Sequence, residues 1–118
     1  VLERTFDLRL GESILAEGSV GARLIDTGLL YHILDSRANK GVALVRSTEL
    51  LGLDPKSFVA VGNGLNDIEM FRAAGLGVAL ANSPERTKEE ASHVCGSGYA
   101  PGLREAVEWA LGAEDKKP

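Results

Sequence analysis

The sequence predicts an α/β protein in which a parallel sheet carries helices on both faces. From residue 40 onward, short apolar runs alternate with segments of helical character, which is the order that parallel β-α-β units produce. The run at residues 58–61 is continuously apolar, as is typical of a strand buried on both faces. The 118 residues are enough for one domain with a real core.

Composition and charge exclude several classes of partner. The formal net charge is -4 and 5% of the residues are aromatic, without any basic cluster, so we expect no nucleic-acid surface. No apolar run approaches the roughly 18 residues of a membrane span, and the opening residues do not resemble a signal peptide. The single Cys95 excludes an internal disulfide and fits a reducing compartment, so we expect a cytoplasmic protein without membrane contact.

The first 38 residues predict a short helix followed by a β-hairpin. Glycines bound a segment that can hold one helix over about residues 12–17. Two β-rich runs come next, and the Thr27-Gly28 dipeptide between them is typical of a tight two-residue turn. We place the two strands over residues 22–26 and 29–34.

The rest of the chain predicts the alternating elements. Gly52 and the Asp54-Pro55 pair stop the first helix. Ser83 is in position to cap a helix that begins at Pro84, where the missing proline N–H costs nothing. The final helix is amphipathic and precedes an irregular tail over residues 115–118. Helices are predicted over 41–53, 66–74, from Pro84 and over 101–111, and strands over 58–61, 77–81 and 93–95.

The loop after the strand at 58–61 carries the residue types of a ligand site, and ligands bind beyond the carboxyl ends of such strands. Two glycines permit a tight turn, and Asn63, Asn66 and Asp67 supply oxygen atoms of the kind that Mg²⁺ prefers. A polar turn with Asn66 as the helix N-cap explains the same residues. Both hypotheses stay open on the local sequence alone.

Two further observations bear on this loop. A strand followed by Gly-x-Gly and a helix also begins a dinucleotide-binding motif, but Asp67 stands where that motif has its third glycine and would repel a pyrophosphate. Lys40 begins a predicted helix, where the helix dipole disfavours a cation. An anionic partner for Lys40 would offset that preference.

Five segments follow one another in an order shared with a known family. They are Asn39-Lys-Gly41, Leu51-Gly-Leu-Asp-Pro55, Val59-Ala-Val-Gly-Asn-Gly-Leu-Asn-Asp67, Gly77-Val-Ala-Leu-Ala-Asn-Ser-Pro-Glu85 and Ala91-Ser-His-Val94. In these segments the chain resembles haloacid dehalogenase-type phosphatases with the larger, inserted cap domain. The stretch Ile25-Asp-Thr-Gly-Leu-Leu-Tyr-His-Ile33 is similar to the return from cap to core in the archaeal phosphoglycolate phosphatase group.

The resemblance implies Mg²⁺ as the cofactor and a small phosphorylated molecule as the substrate. In this family an Asp nucleophile attacks phosphorus, while Mg²⁺ and a Lys neutralise the phosphoryl oxygens. Lys40 matches the phosphate-binding Lys, Asp67 a metal-binding acid, and Asn66 its supporting amide. Asn63 stands where the family has its first metal-binding Asp. Its amide offers an oxygen but no charge, so we expect weaker metal binding.

The chain departs from the family in a second way, because no two of its Asp residues are separated by a single position. That pair supplies the nucleophile and the general acid of the family, so we expect no catalytic residue in this chain. The resemblance therefore predicts a C-terminal half, with residues 1–38 as the end of the cap and 39–118 as the second half of the core. The Asp residues are at positions 7, 26, 35, 54, 67 and 115.

If the chain is half of an enzyme, we expect it to associate with a partner chain. The expected partner is the missing N-terminal half or a second copy of the chain, and we expect an oligomer because an uncovered strand edge promotes association. A non-catalytic remnant that keeps phosphate or partner binding is the alternative, and a dinucleotide-binding fragment is a further one. The sequence does not identify the substrate, because the cap selects it in this family.

The remaining polar and aromatic residues are expected to have structural or surface positions rather than catalytic roles. His32 is expected to be structural, and His93 to lie at the surface after a charged helix. Cys95 is expected to act as a small buried hydrophobe, and Trp109 to pack in the core. Asn82 follows the carboxyl end of a predicted strand and is therefore expected near the candidate site.

Overall fold

A computed structural model describes residues 1–114, and the predicted irregular tail at 115–118 lies outside the described residues. The chain divides into two compact units between Asn39 and Lys40, one residue after the predicted boundary. No helix among the described residues is both long enough and apolar enough to cross a membrane.

The first unit contains one helix and one hairpin: α1 (Leu8–Glu17), β1 (Ala22–Asp26) and β2 (Tyr31–Asp35). The predicted antiparallel hairpin is confirmed, with Leu24 opposite Ile33. Its turn, however, has four residues instead of two. Thr27 and Leu30 close this turn, since the Thr27 N–H donates to the Leu30 carbonyl at 3.1 Å.

The first helix begins four residues earlier than predicted, because Asp7 caps its N-terminus. The side chain of Asp7 accepts hydrogen bonds from the N–H groups of Arg9 and Leu10, at 2.8 and 3.2 Å. Such a cap satisfies backbone donors that the first turn leaves without partners. The helix packs against β1, and Tyr31 of the same unit is 6% exposed and donates its hydroxyl to the Phe6 carbonyl at 2.9 Å.

The second unit is a parallel sheet with alternating helices, as predicted. Its strands lie in the order β3-β4-β5, and both pairings are parallel. The parallel strands of the described residues are short, at two to four residues each. The elements are α2 (Lys40–Leu51), β3 (Val59–Gly62), α3 (Ile68–Ala73), β4 (Leu76–Ala79), α4 (Glu85–Glu89), β5 (His93–Val94) and α5 (Tyr99–Glu114).

The alternation of side chains along the strands produces one apolar layer on each face of this sheet. On one face, Ala60 and Ala79 pack with Phe71 of α3. On the other face, Val78 packs with Ala106 of α5. Because neighbouring strand residues point to opposite faces, a strand covered on both faces becomes continuously apolar. Helices therefore cover both faces, as the sequence predicted.

Two local predictions in this unit are wrong. The strand after α2 has helices on both faces but is not fully buried, because Val59 at its start is 39% exposed, and β3 pairs only with β4 among the described residues. Ser83 does not cap α4, because Pro84 holds the N-cap position and its ring has no atom that could accept a capping hydrogen bond. The Ser83 hydroxyl is instead buried without a hydrogen-bond partner in the described part of the chain.

Candidate functional site

The loop after β3 folds around the carboxylate of Asp67. The N–H groups of Asn63 and Gly64 both donate to Asp67 Oδ2, each at 2.9 Å. Asp67 is 3% exposed, and residues 65–67 form a short 3₁₀ turn before α3. Hydrogen bonds to an ionised acceptor are about twice as strong as those to a neutral one. Asp67 therefore holds the loop closed from inside.

The backbone at Gly62 lies so close to the Asp67 carboxylate that only glycine fits there. A Cβ atom added at Gly62 would lie 2.4 Å from Asp67 Cγ, which is shorter than any real contact of that kind. Any larger residue at the end of β3 would push the carboxylate out of the loop. The glycine-rich composition that the sequence analysis noted at this loop thus has a steric reason.

Lys40 and Asp67 are 27 positions apart in the sequence and meet in the structure. Lys40 Nζ lies 2.5 Å from Asp67 Oδ1. The Lys40 side chain is 49% exposed, whereas the Asp67 side chain is 4% exposed. Lys40 is the first residue of α2, and Asp67 is the anionic partner that offsets the unfavourable position of a cation at a helix start.

Close packing of two helices produces this meeting. A Cβ atom added at Gly41 would lie 2.5 Å from the carbonyl oxygen of Glu69 in α3. The start of α2 therefore lies directly against the start of α3, which follows Asp67 in the chain. Only a residue without a side chain permits this approach, and it places Lys40 beside the loop.

The two asparagines of the loop have different surroundings. Asn63 is exposed and contacts Asp67 through its backbone. Asn66 is partly buried and lies inside the 3₁₀ turn, while α3 begins at Ile68. Asn66 is therefore not the N-cap of the helix, and that part of the alternative is wrong.

A Mg²⁺ ion at this loop needs several oxygen ligands in an octahedral arrangement. The loop offers one carboxylate, and both of its oxygens are already engaged by Lys40 and by two backbone N–H groups. The exposed amide of Asn63 adds an oxygen without charge. These residues alone do not fit a complete Mg²⁺ site, so an ion here would need further ligands.

Two residues near the carboxyl ends of β4 and β5 hold neighbouring loops together. Asn82 Oδ1 accepts a hydrogen bond from the Tyr99 N–H at 3.0 Å, which ties the loop after β4 to the start of α5. Glu105 accepts from the N–H groups of Gly96 and Ser97, at 2.8 and 3.0 Å. Glu105 is not among the residues predicted from the sequence, because no local pattern marks a helical Glu that reaches back to a loop.

These contacts shift two pKa values in this region. The hydrogen bond from Gly96, reinforced by Ser97, lowers the pKa of Glu105. Burial raises the pKa of the Cys95 thiol, and the nearby Glu105 charge raises it further. Glu105 is consequently an ionised acceptor at neutral pH, whereas Cys95 is a protonated thiol.

Fold and loop together define a class of protein. A family model described as haloacid dehalogenase-like hydrolase matches residues 24–107, which is most of the chain. The chain belongs to this family, as the resemblance predicted.

The curated proteins that are similar to this chain include phosphoglycolate phosphatases. The phosphoglycolate phosphatase of Methanosarcina acetivorans is 42% identical over 108 residues, which cover 92% of this chain and 48% of that protein. The phosphoglycolate phosphatase of Archaeoglobus fulgidus is 41% identical with the same coverage of both chains. The chain thus spans about half the length of the curated relatives it matches.

Solved structures support the same family. A phosphatase of this superfamily from Bacteroides thetaiotaomicron has a TM-score of 0.76 and 26% identity, with 87% of this chain and 38% of that chain covered. The superfamily's phosphatases generally use a divalent metal. One structural neighbour, the deoxy-D-mannose-octulosonate 8-phosphate phosphatase of Haemophilus influenzae, is a cobalt-bound form. It has a TM-score of 0.59 and 25% identity, and the match covers 66% of this chain and 46% of that one.

Proposed function

We propose that this chain is the C-terminal half of a Mg²⁺-dependent phosphatase that hydrolyses a small phosphomonoester of the phosphoglycolate class. The ion pair between Lys40 and Asp67, at the loop after β3, carries the proposal. Identity of about 40% to archaeal phosphoglycolate phosphatases supports the substrate class. Mg²⁺ is supported by the resemblance rather than by the donor set of the described residues.

Lys40 is the proposed phosphate-binding residue. An ammonium group has three donors, and Asp67 Oδ1 occupies one of them. The exposed half of the side chain leaves the other two donors for phosphoryl oxygens. In phosphoryl transfer, charge on the equatorial oxygens has to be balanced by fixed cations, and a positioned Lys supplies this balance.

Asp67 is proposed mainly as a positioning residue. Its buried carboxylate fixes Lys40 and the loop at once, so the ammonium reaches the site without a further loss of side-chain freedom. Asp67 and Asn63 are proposed on the metal side of the site, and Asn66 supports them from inside the turn. The other metal ligands have to come from residues beyond those described.

The covalent step needs a nucleophile that this chain does not supply. In the proposed reaction an Asp carboxylate of the N-terminal half attacks phosphorus, the alcohol leaves with a proton from a general acid, and water then cleaves the aspartyl phosphate. Residues 1–38 are proposed as the end of the cap and 39–118 as the second half of the core. The N-terminal half is accordingly the proposed partner of this chain.

The proposal is tested by reconstitution. The chain is mixed with the separately produced N-terminal half of the Methanosarcina acetivorans relative, and phosphate release from phosphoglycolate is measured with Mg²⁺ or with chelator. We expect turnover only in the mixture with Mg²⁺, its loss in Lys40→Ala, and its retention in Arg46→Ala, which removes an exposed cation from the same helix. The proposal would be contradicted if the chain and the N-terminal half bind each other but their mixture shows no turnover.

Asn63 favours a second candidate function, a remnant that binds phosphate without turnover. The residue removes a negative charge from the position where the family has a metal-binding Asp. This candidate predicts that phosphate binds in a Lys40-dependent manner, while Asn63→Asp is needed before the mixture turns over.

A further inference from the structure

Three side chains with metal-binding atoms converge at the end of β5. A ring nitrogen of His93, the Sγ atom of Cys95 and a carboxylate oxygen of Glu105 all lie within 4.8 Å of one another. Cys95 is 3% exposed, and the other two residues are partly buried. The cluster combines a nitrogen, a sulfur and an oxygen ligand, a set that differs from the oxygen-rich loop after β3.

The fold explains why these residues meet. His93 and Cys95 are two positions apart on an extended segment, so their side chains point to the same face of the sheet. The strand direction continues through Cys95, whose N–H donates to the Ala79 carbonyl at 2.9 Å. Helix α5 covers this face, since Ala106 packs in the same cluster as Cys95, and Glu105 is its neighbour in that helix.

Two of the three side chains are held in place before any ion arrives. The His93 ring stacks on Trp109, with ring centres 4.4 Å apart and planes 5° from parallel. The Glu105 carboxylate is fixed by the N–H groups of Gly96 and Ser97. Each carboxylate oxygen has two lone pairs, so these bonds leave acceptor sites for a cation. A site built in this way loses little side-chain freedom when it binds.

We propose that His93, Cys95 and Glu105 form a binding site for a transition-metal dication of the Zn²⁺ class, with the fourth coordination position open to water. Tetrahedral Zn²⁺ places its nitrogen, sulfur and oxygen ligands about 3.4–3.6 Å apart, from bond lengths of about 2.0–2.3 Å. Because the present atoms lie within 4.8 Å of one another, they need to approach by little more than about 1 Å.

The electrostatics of the cluster favour a dication. Burial and, to a lesser extent, the negative charge of Glu105 raise the pKa of the Cys95 thiol, so both oppose the loss of its proton. A bound metal ion reverses this opposition, because the thiol releases its proton to solvent and the sulfur bonds to the metal. The ion then balances one thiolate and one carboxylate.

The ligand types select the class of metal. Thiolate and imidazole prefer Zn²⁺ and its neighbours in the transition series, whereas Mg²⁺ prefers oxygen ligands. This site is therefore separate from the metal of the proposed phosphatase, and it stands whether or not that function is correct. A bound ion links β5 to α5 and stabilises the folded chain.

Cobalt titration of the 118-residue chain tests the proposal directly. Cys95 is the single cysteine, so any thiolate-to-cobalt charge-transfer band in the near-ultraviolet comes from this residue. We expect such a band to saturate at one equivalent of Co²⁺ and to disappear when Zn²⁺ is added. We also expect Zn²⁺ to raise the melting temperature of the chain. The absence of a charge-transfer band would overturn the proposal.

Variants separate this site from other metal-binding groups. His93→Gln should weaken Co²⁺ binding at least about tenfold, since losing even a residue that only supports a ligand costs roughly 10–100-fold. His32→Gln, which changes the other histidine of the chain, should leave the band and the affinity unchanged. Asp67→Asn should also leave the band unchanged. Equal affinity in His93→Gln and the parent chain would overturn the assignment.

Discussion

Replacing Asp67 by Asn tests whether one carboxylate organises the candidate site. The amide has the same size, but one of its two polar atoms is a nitrogen that cannot accept a hydrogen bond. If the amide oxygen keeps the two backbone N–H groups, the nitrogen takes the position of Oδ1, 2.5 Å from Lys40 Nζ in the parent chain. The variant then places two donors opposite each other.

The expected loss follows from the contacts. Two bonds from backbone N–H groups to a charged acceptor become bonds to a neutral one, which costs about 1 kcal/mol each. Loss of the ion pair costs about 1 kcal/mol or less, because half of the Lys40 side chain is exposed. The variant no longer buries a charged carboxylate, and the desolvation free energy that it saves offsets part of this cost. We expect the free energy of unfolding to fall by about 2 kcal/mol.

Urea unfolding followed by circular dichroism measures this loss. Asp54→Asn is the matched control, because Asp54 caps a short turn by accepting the Lys56 N–H, and Asn caps equally well. A double-mutant cycle with Lys40→Met should return a coupling of about 1 kcal/mol between Lys40 and Asp67. A loss no larger than that of the control, or no coupling, would refute the assignment of Asp67 as the organiser of the loop.

Four other predictions follow from the contacts described above. The pKa of Glu105 is lowered on folding, so its stabilisation is fully present above the unfolded pKa and is lost as pH falls through the folded one. The difference in unfolding free energy between the parent chain and Glu105→Gln should therefore shrink as the pH falls below about 4.3, the ordinary pKa of Glu. A constant difference across pH 3–7 would refute this prediction. Asn63→Asp should lower the melting temperature in chelator, because a second carboxylate beside Asp67 repels the first. With Mg²⁺ the melting temperature of the variant should rise more than that of the parent chain, because the cation balances both carboxylates. If calorimetry shows the same response to Mg²⁺ in the variant and the parent chain, the loop is only a turn. Deamidation at Asn63 should be slower in the folded chain than in urea, as mass spectrometry can measure, because the attacking N–H of Gly64 is held by Asp67 Oδ2. The chain alone should associate through the open edge of β3, where Val59 is exposed, and a monodisperse monomer in light scattering at micromolar concentration would contradict this.

The sequence predicted the order of the elements well, because that order depends on local patterns. Apolar runs flanked by glycine and proline placed the three parallel strands to within a few residues, and α2 ends just before Gly52 as expected. The local predictions that failed are those at element ends. Asp7 begins α1 where no apolar pattern marks a start, and Ser83 turns inward instead of capping α4.

What the sequence determined by itself is the family and the candidate loop. The loop residues are contiguous, and their types and spacing carry the resemblance without any knowledge of contacts. The separation of Lys40 from Asp67 by 27 positions left their pairing open, because chain distance does not determine spatial distance.

Only the tertiary structure decided which side chains meet. Lys40 reaches Asp67 because Gly41 lets α2 lie against α3, and Asp67 turns inward to hold two N–H groups of its own loop. His93 was expected at the surface and Cys95 in the core, yet α5 brings Glu105 to both. The physical reason is the same in both places. Local pattern sets helices and strands, whereas close packing between elements far apart in the chain sets the contacts that carry chemistry.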